Sequence, residues 1–217
     1  RIKGKRYIRK LVPYKFEKLK ESKFKYNGLY MIFGGLGGIG FELSKYLAQN
    51  YKANLVLVGR SDPDIAKIEE INRFGGTVSY EKADLLNKNM ITNLLHKYAV
   101  NGIIHSALTL LDKTIQFMNR DTLNDVLDPK VIGSINLYNT IVENNLDLDF
   151  VLFFSSIQSF IANSGQANYT AACVFKDTIA NLLRNFNMQN TKIINWGYWG
   201  SVGIVSTDEY RNRMSMV

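Results

Sequence analysis

The run Gly35-Leu36-Gly37-Gly38-Ile39-Gly40 constrains this chain more than any other feature. It matches G-x-G-x-x-G and sits between two patterned segments. Before it lies the apolar stretch Leu29-Tyr30-Met31-Ile32-Phe33; after it, Ile39, Leu43 and Leu47 recur every four positions. The first pattern predicts a buried strand and the second one face of a helix. In such a unit the first glycine makes the tight turn, the second admits the backbone of a pyrophosphate, and the third lets helix and strand pack closely. The helix N-terminus contributes exposed N–H groups and a favourable dipole to an anion. Strand, glycine turn and helix in this order predict a dinucleotide site.

The next apolar run, Asn54 to Val58, predicts a second buried strand, and it ends in Gly59-Arg60-Ser61. An NAD-binding domain is expected to place an acid near this point, on the ribose 2′-hydroxyl. Here Arg60 stands twenty residues after Gly40. A guanidinium suits a 2′-phosphate by charge and by bidentate geometry. NADP(H) is therefore the expected cofactor, with Arg60 and Ser61 at its adenosine end. Asp84, after the third strand, is expected either near the adenine or as the cap of the turn that follows.

Strand-like and helix-like segments go on alternating. A helix is predicted over 63–74, a strand over Thr77 to Lys82, a helix around Ile91, Leu94 and Leu95, and a strand over Gly102 to His105. A long helical stretch runs from Thr122 to Asn145, with Pro129 as a bend or a new start. Phe150 to Phe154 and Lys192 to Trp196 read as strands and Asn168 to Phe186 as a helix. Such alternation predicts an α/β fold: a doubly wound parallel sheet in the order 3-2-1-4-5-6, helices on both faces.

The net charge of +8 raises the question of nucleic acid, and its location answers it. Residues 1–27 hold 11 of the 27 basic side chains and two of the 19 acidic ones, a net of +9, which leaves 16 basic and 17 acidic, a net of −1, for the rest. The charge belongs to an N-terminal arm, read as a solvated strand (Arg6 to Val12) and linker, with a boundary at Asn27-Gly28. No nucleic-acid partner is expected. No apolar run reaches the roughly 18 residues that a membrane span needs, so no membrane is expected either. The lone cysteine, Cys173, suits a reducing, cytoplasmic setting, and two histidines without partners at ligand spacing predict no metal site. A first residue of Arg suggests a piece of a longer protein.

Ser155-Ser156 ends a strand on the carboxyl edge of the sheet, where ligands bind in open α/β folds. Tyr169 follows thirteen residues later at the start of a helix. Together they offer one hydroxyl to orient a carbonyl and a phenol to protonate it, although spacing alone fits two unrelated turn residues equally well. Around these positions the sequence resembles the ketoreductase domains of modular polyketide synthases, a branch of the short-chain dehydrogenase/reductase superfamily. The stretches that carry the resemblance are LYMIFGGLGGIG and NLVLVGRS between Leu29 and Ser61, GIIHSALTLLD from Gly102, DPKVIG from Asp128, VLFFSSIQSFIANSGQANYTAACVFKD from Val151 and INWGYWGSVG from Ile194. They occur in family order from about residue 28 onward, and are most similar to synthases that lack built-in acyltransferases.

The resemblance implies roles. Tyr169 would be the proton donor, Ser156 would hydrogen-bond the substrate carbonyl, and Lys130 would lower the Tyr169 pKa and relay protons. Cofactor contacts are implied at Gly35 to Gly40, Arg60, Ser61, Asp84, Leu85 and Ser106. The implied substrate is a ketoacyl chain on an acyl carrier protein bearing phosphopantetheine, and the implied neighbours are other domains of a synthase module. Residues 1–27 would be the end of an upstream structural subdomain, residues 28–217 the catalytic domain, and Trp196 to Val217 the start of an incomplete lid. Leu110-Leu111-Asp112 keeps the last Asp of the B-type Leu-Asp-Asp motif. The A-type Trp is replaced by Ile161, so a D-hydroxyl product is implied. One position departs from the family: Cys173 stands where Asn is usual, four residues after Tyr169. The alternative is therefore a catalytically silent domain that retains the fold.

Overall fold

A computed structural model describes residues 4, 6, 8, 10–15, 22–186 and 188–214. Among these described residues, six apolar or alternating runs form six strands: β1 (Leu29–Phe33), β2 (Asn54–Gly59), β3 (Thr77–Lys82), β4 (Gly102–His105), β5 (Phe150–Ser156) and β6 (Thr191–Trp196). Seven helices lie between and after them: α1 (Gly38–Tyr51), α2 (Ile65–Arg73), α3 (Lys88–Lys97), α4 (Arg120–Lys130), α5 (Ile132–Glu143), α6 (Ala167–Asn185) and α7 (Asp208–Met214). All strand pairs are parallel, and the sheet order is β3-β2-β1-β4-β5-β6. This is the doubly wound order expected from the sequence.

The strands read as unbroken apolar runs because both sheet faces are covered. Successive residues point to opposite sides, and two cores result. Met31, Phe33, Val56, Ile103, Val151 and Phe153 meet Ile91, Leu94, Leu137, Ile141 and Leu183 of α3, α5 and α6. Tyr30, Ile32, Leu55, Leu57, Leu152 and Phe154 meet Leu47, Ala48 and Ile71 of α1 and α2. Every strand ends on the same edge, so the loops after β1, β2, β3, β4, β5 and β6 gather there.

The stretch from Thr122 to Asn145 is two helices, α4 and α5, separated at Val131 (ψ −70°), so of the two alternatives expected around Pro129 the new start holds. Pro129 lacks the amide that a continuing helix needs there, and the chain restarts at once. The expected arm strand is absent at Arg6, Ile8 and Lys10 to Val12; Tyr7 and Arg9 lie outside the described residues. Ile8, Leu11 and Val12 are exposed, and no described strand lies alongside to take up their backbone groups.

Candidate active site

The gathered loops enclose a cavity of about 550 Å³. One end is the glycine loop. Its left-handed residue is Gly34 (φ +80°), the residue before the motif, so the tight turn assigned to Gly35 belongs to Gly34. Gly35 is instead required by packing: a Cβ there would lie 2.6 Å from the Leu57 side chain. A Cβ on Gly40 would strike the carbonyl oxygen of Gly34, which fits its expected packing role. Gly37 and Gly38 line the cavity. α1 starts there with no side-chain cap and no acidic residue in its first turn, so its first amides stay available to an anion.

Arg60, just after the end of β2, lines the same end and reaches Thr109 (3.5 Å). Asp84 lines the cavity, and its carboxylate accepts from the Leu86 amide (3.0 Å), the turn-capping alternative of the two expected. Leu85 and Ser106 also line the cavity, while Ser61 gives its carbonyl to the Tyr80 hydroxyl (2.7 Å). Lys67 of α2, which sequence reading passed over, donates to the Leu36 carbonyl (3.0 Å) and brings a second cation to the loop. The Trp196 indole N–H is buried at the cavity wall without a partner. A cradle with no room for side chains, open helix amides and two nearby cations fit a dinucleotide phosphate.

The other end holds the hydroxyls. Ser156 is the last residue of β5 and Tyr169 the third of α6. Asn195 of β6 ties these elements together, donating to the Ser156 carbonyl (3.2 Å), Ser159 (3.0 Å) and the Asp177 carboxylate (3.1 Å). Tyr169 and Ser156 line the same cavity, and the Ser156 hydroxyl and the Cys173 thiol both act on the Tyr169 phenol. Lys130, buried at the end of α4, places its Nζ 5.0 Å from the centre of the Tyr169 ring.

The expected lowering of the Tyr169 pKa is not what the surroundings produce. Burial, chiefly, holds the phenol well above its ordinary value, with Cys173 and Asp112 acting in the same direction and Ser156 against them. The physical reason is desolvation of the charged form, while Lys130 faces the ring.

Ile161 lines the cavity, and Asp112 sits behind Gln166 and Tyr210, which also line it. Ile161 is half-exposed on the cavity wall. The Asp112 carboxylate accepts from Gln166 (2.8 Å) and from the Tyr210 hydroxyl of α7 (2.7 Å). Residues 197–214 roof the cavity with Trp199, Val202, Ile204 and Tyr210, and Gly203 rests on Gly38 so closely that a Cβ on Gly38 would lie 2.7 Å from its Cα. The lid expected over Trp196 to Val217 falls on these residues, of which 215–217 lie outside the described residues. Gln166, Tyr210 and the buried Lys176 were not foreseen. Lys176 alone left a signal, a lysine on the apolar face of α6 seven residues after Tyr169. Among the described residues no cluster of His, Cys, Asp or Glu could hold a metal ion. No described helix is long and apolar enough to cross a membrane.

Residues 28–201 match the KR domain family. The chain is 37% identical over 214 residues, 95% of its length, to polyketide synthase PksN of Bacillus subtilis, and 35% identical over 204 residues, 90% of its length, to polyketide synthase ThaG of Burkholderia thailandensis. It spans only 4% of the length of each. Among solved structures, a ketoreductase domain from the bacillaene assembly line superposes with a TM-score of 0.81 at 28% identity, covering 93% of this chain and 51% of that one.

Proposed function

The chain belongs to the KR domain family, and on that premise we propose that it reduces a ketoacyl group, carried by phosphopantetheine on an acyl carrier protein, to a hydroxyacyl thioester with NADPH. One observation carries this reading. The Ser156 and Tyr169 hydroxyls share one end of a cavity whose other end is the glycine loop and Arg60.

When bound, the nicotinamide supplies a hydride to the ketone carbon. Gly37, Gly38 and the first amides of α1 would hold the pyrophosphate, and Arg60 the 2′-phosphate. Ser156 donates a hydrogen bond to the ketone oxygen and keeps it beside Tyr169. Tyr169 then gives that oxygen its proton. Because burial raises its pKa, the phenol keeps that proton through neutral pH, which is the form a donor requires. A positive charge on Lys130 and the Ser156 hydroxyl both favour the phenolate left behind. The roof excludes water from the developing charge, which strengthens each of these interactions.

Asp112, with Ile161 in place of a Trp, supports a B-type product with a D-hydroxyl. Residues 28–217 are the catalytic unit in this reading, and residues 1–27 the arm that leads to a neighbouring structural subdomain of the synthase module. The test is NADPH oxidation with a β-ketoacyl thioester of N-acetylcysteamine and with a carrier-bound β-ketoacyl chain. Turnover to the D-hydroxyl product is expected; tight NADPH binding without turnover on either substrate overturns the proposal in favour of a silent scaffold.

A further inference from the structure

Lys67 takes no role in the mechanism above, yet it is tied to the glycine turn. It sits in the first turn of α2, seven residues after Arg60, in the connection that leaves β2. Its Nζ donates to the carbonyl of Leu36 (3.0 Å), and Leu36 lies between Gly34 and Gly37, which both line the cavity. The same Nζ stands 5.4 Å from the centre of the Phe41 ring of α1. Its surroundings leave its charge available. Among the described residues its one ion pair is a long one, to Asp64 at 3.9 Å. The Asp64 carboxylate already caps α2 by accepting from the Lys67 amide (3.2 Å). Neighbouring lysines are held more closely: Lys45 by Glu42 (2.9 Å) and Glu70 (3.2 Å), and Lys82 by Asp62 (2.7 Å). The last pair also neutralises the acid that follows Arg60 most closely in sequence. An ammonium carries three donors, and Leu36 takes one. The Lys67 side chain is 40% exposed, so the others are open to a ligand.

We propose that Lys67 is the second cation of the subsite for the cofactor's 2′-phosphate, acting from the glycine turn while Arg60 acts from the end of β2. The inference rests on the NADPH reading above and adds a specificity residue to it. In Rossmann domains the residue after the second strand meets the ribose 2′-position, beside the first strand-to-helix turn. Lys67 joins these two places: its backbone leaves the β2–α2 connection and its ammonium ends on the β1–α1 turn. Arg60 extends toward Thr109 on the loop after β4, which carries its charge to the centre of the sheet. Lys67 supplies the charge on the side of α1 and α2. The Leu36 carbonyl oxygen is partly negative and would repel a phosphate. The ammonium covers that oxygen and turns the site attractive. Arg60 then binds as a planar fork and Lys67 as a point charge.

The test uses two ligands that differ only in that phosphate, adenosine 2′,5′-bisphosphate and 5′-AMP. Each is titrated calorimetrically into the intact protein, with no substrate and no turnover. Wild type should prefer the bisphosphate. Lys67→Met removes the charge and keeps an apolar stem beside Phe41. It should weaken the bisphosphate by about tenfold, the scale of one hydrogen bond to a charged group, and leave 5′-AMP within about twofold. The loss should shrink as salt is raised, because the site is half-exposed. Lys67→Arg keeps the charge and should keep most of the preference. Arg60→Ala alone should retain part of the preference, and Lys67→Met added to it should lower that part further. Equal weakening of both ligands by Lys67→Met would make Lys67 a strut of the glycine turn and overturn the proposal. An unchanged bisphosphate affinity overturns it too, and leaves the NADPH reading standing as long as wild type shows its preference. Wild-type protein that binds the two ligands equally overturns the NADPH reading itself.

Discussion

Single side chains carry the chemistry, and each makes a separate demand. Tyr169→Phe removes the proposed proton donor while keeping the ring under Lys130. It should lower kcat by about 10² to 10⁴, with the NADPH dissociation constant unchanged; an unaltered kcat removes Tyr169 from its role. Arg60→Ala should weaken NADPH binding far more than NADH binding, measured by fluorescence titration, because only NADPH offers the 2′-phosphate. Equal losses for both would detach Arg60 from that phosphate. Lys176 makes a prediction about stability. Burial first, then repulsion by Lys130, holds its pKa well below the usual lysine value. Between that lowered value and the ordinary one near 10.5, the unfolded chain binds a proton that the folded chain does not. Stability is therefore present above pH 10.5 and is lost as pH falls through this window. Lys176→Met abolishes the loss. The melting temperature of the variant relative to wild type should be higher at about pH 7 than at about pH 10, and a gap independent of pH would show that Lys176 stays charged when folded. Legibility at this scale was uneven. Ser156 and Tyr169 were readable as hydroxyls near a strand end and a helix start, but only the resemblance paired them. Lys130 alone reads as a surface helical lysine, because burial by a distant helix leaves no mark in local sequence. Gln166 and Tyr210 meet Asp112 across 54 and 98 residues, and no spacing rule spans such separations.

At the scale of elements, the strands were the easiest to read. A parallel strand covered on both faces is a short apolar run, and β1, β3 and β4 begin and end where their sequence patterns do. The break between α4 and α5 was harder, since Pro129 lies inside α4 and the apolar periodicity carries across it. The arm failed for another reason: a strand needs an edge to pair with, and sequence alone does not say whether one is present. The glycine loop was recognised as a unit, but some of the duties inside it were misassigned. Gly34 has the positive φ, and Gly35 is small because Leu57 is large. A graded prediction follows for this turn. In Gly40→Ala the new methyl meets the Gly34 carbonyl, which is backbone and cannot swing aside. The cost should be about 1–3 kcal/mol, as for overpacking elsewhere, together with loss of NADPH binding. In Gly37→Ala the nearest atom is the same carbonyl oxygen but 3.3 Å away, so it must give by only a few tenths of an ångström. The denaturant midpoint should move less in that variant than in Gly40→Ala, while NADPH binding still falls because the methyl intrudes on the proposed cofactor end of the cavity. Equal midpoint shifts in the two variants would mean that the loop relaxes as one piece.

At the scale of the whole molecule, the site is assembled by the roof. The sheet edge supplies the floor from its loops, and residues 197–214 fold back over part of it. The roof is held at both ends. Over the cofactor end, Gly203 lies against Gly38 with no side chain between them. Over the substrate end, Tyr210 hydrogen-bonds the Asp112 carboxylate, which Gln166 also holds. The Tyr210 contact is the one that a single atom can remove. A hydrogen bond to a charged group contributes about 1.5–3 kcal/mol, of which solvent at the mouth takes a share. Tyr210→Phe should therefore shift the roof toward its open state by about tenfold. The floor is untouched, so the chemical step in a single turnover should keep its rate. NADPH should dissociate faster in stopped flow, and limited proteolysis should cut sooner between Gly197 and Gly203. Unchanged dissociation and cleavage would mean that Gly203 on Gly38 alone keeps the site closed, and that Tyr210 serves Asp112 rather than the roof.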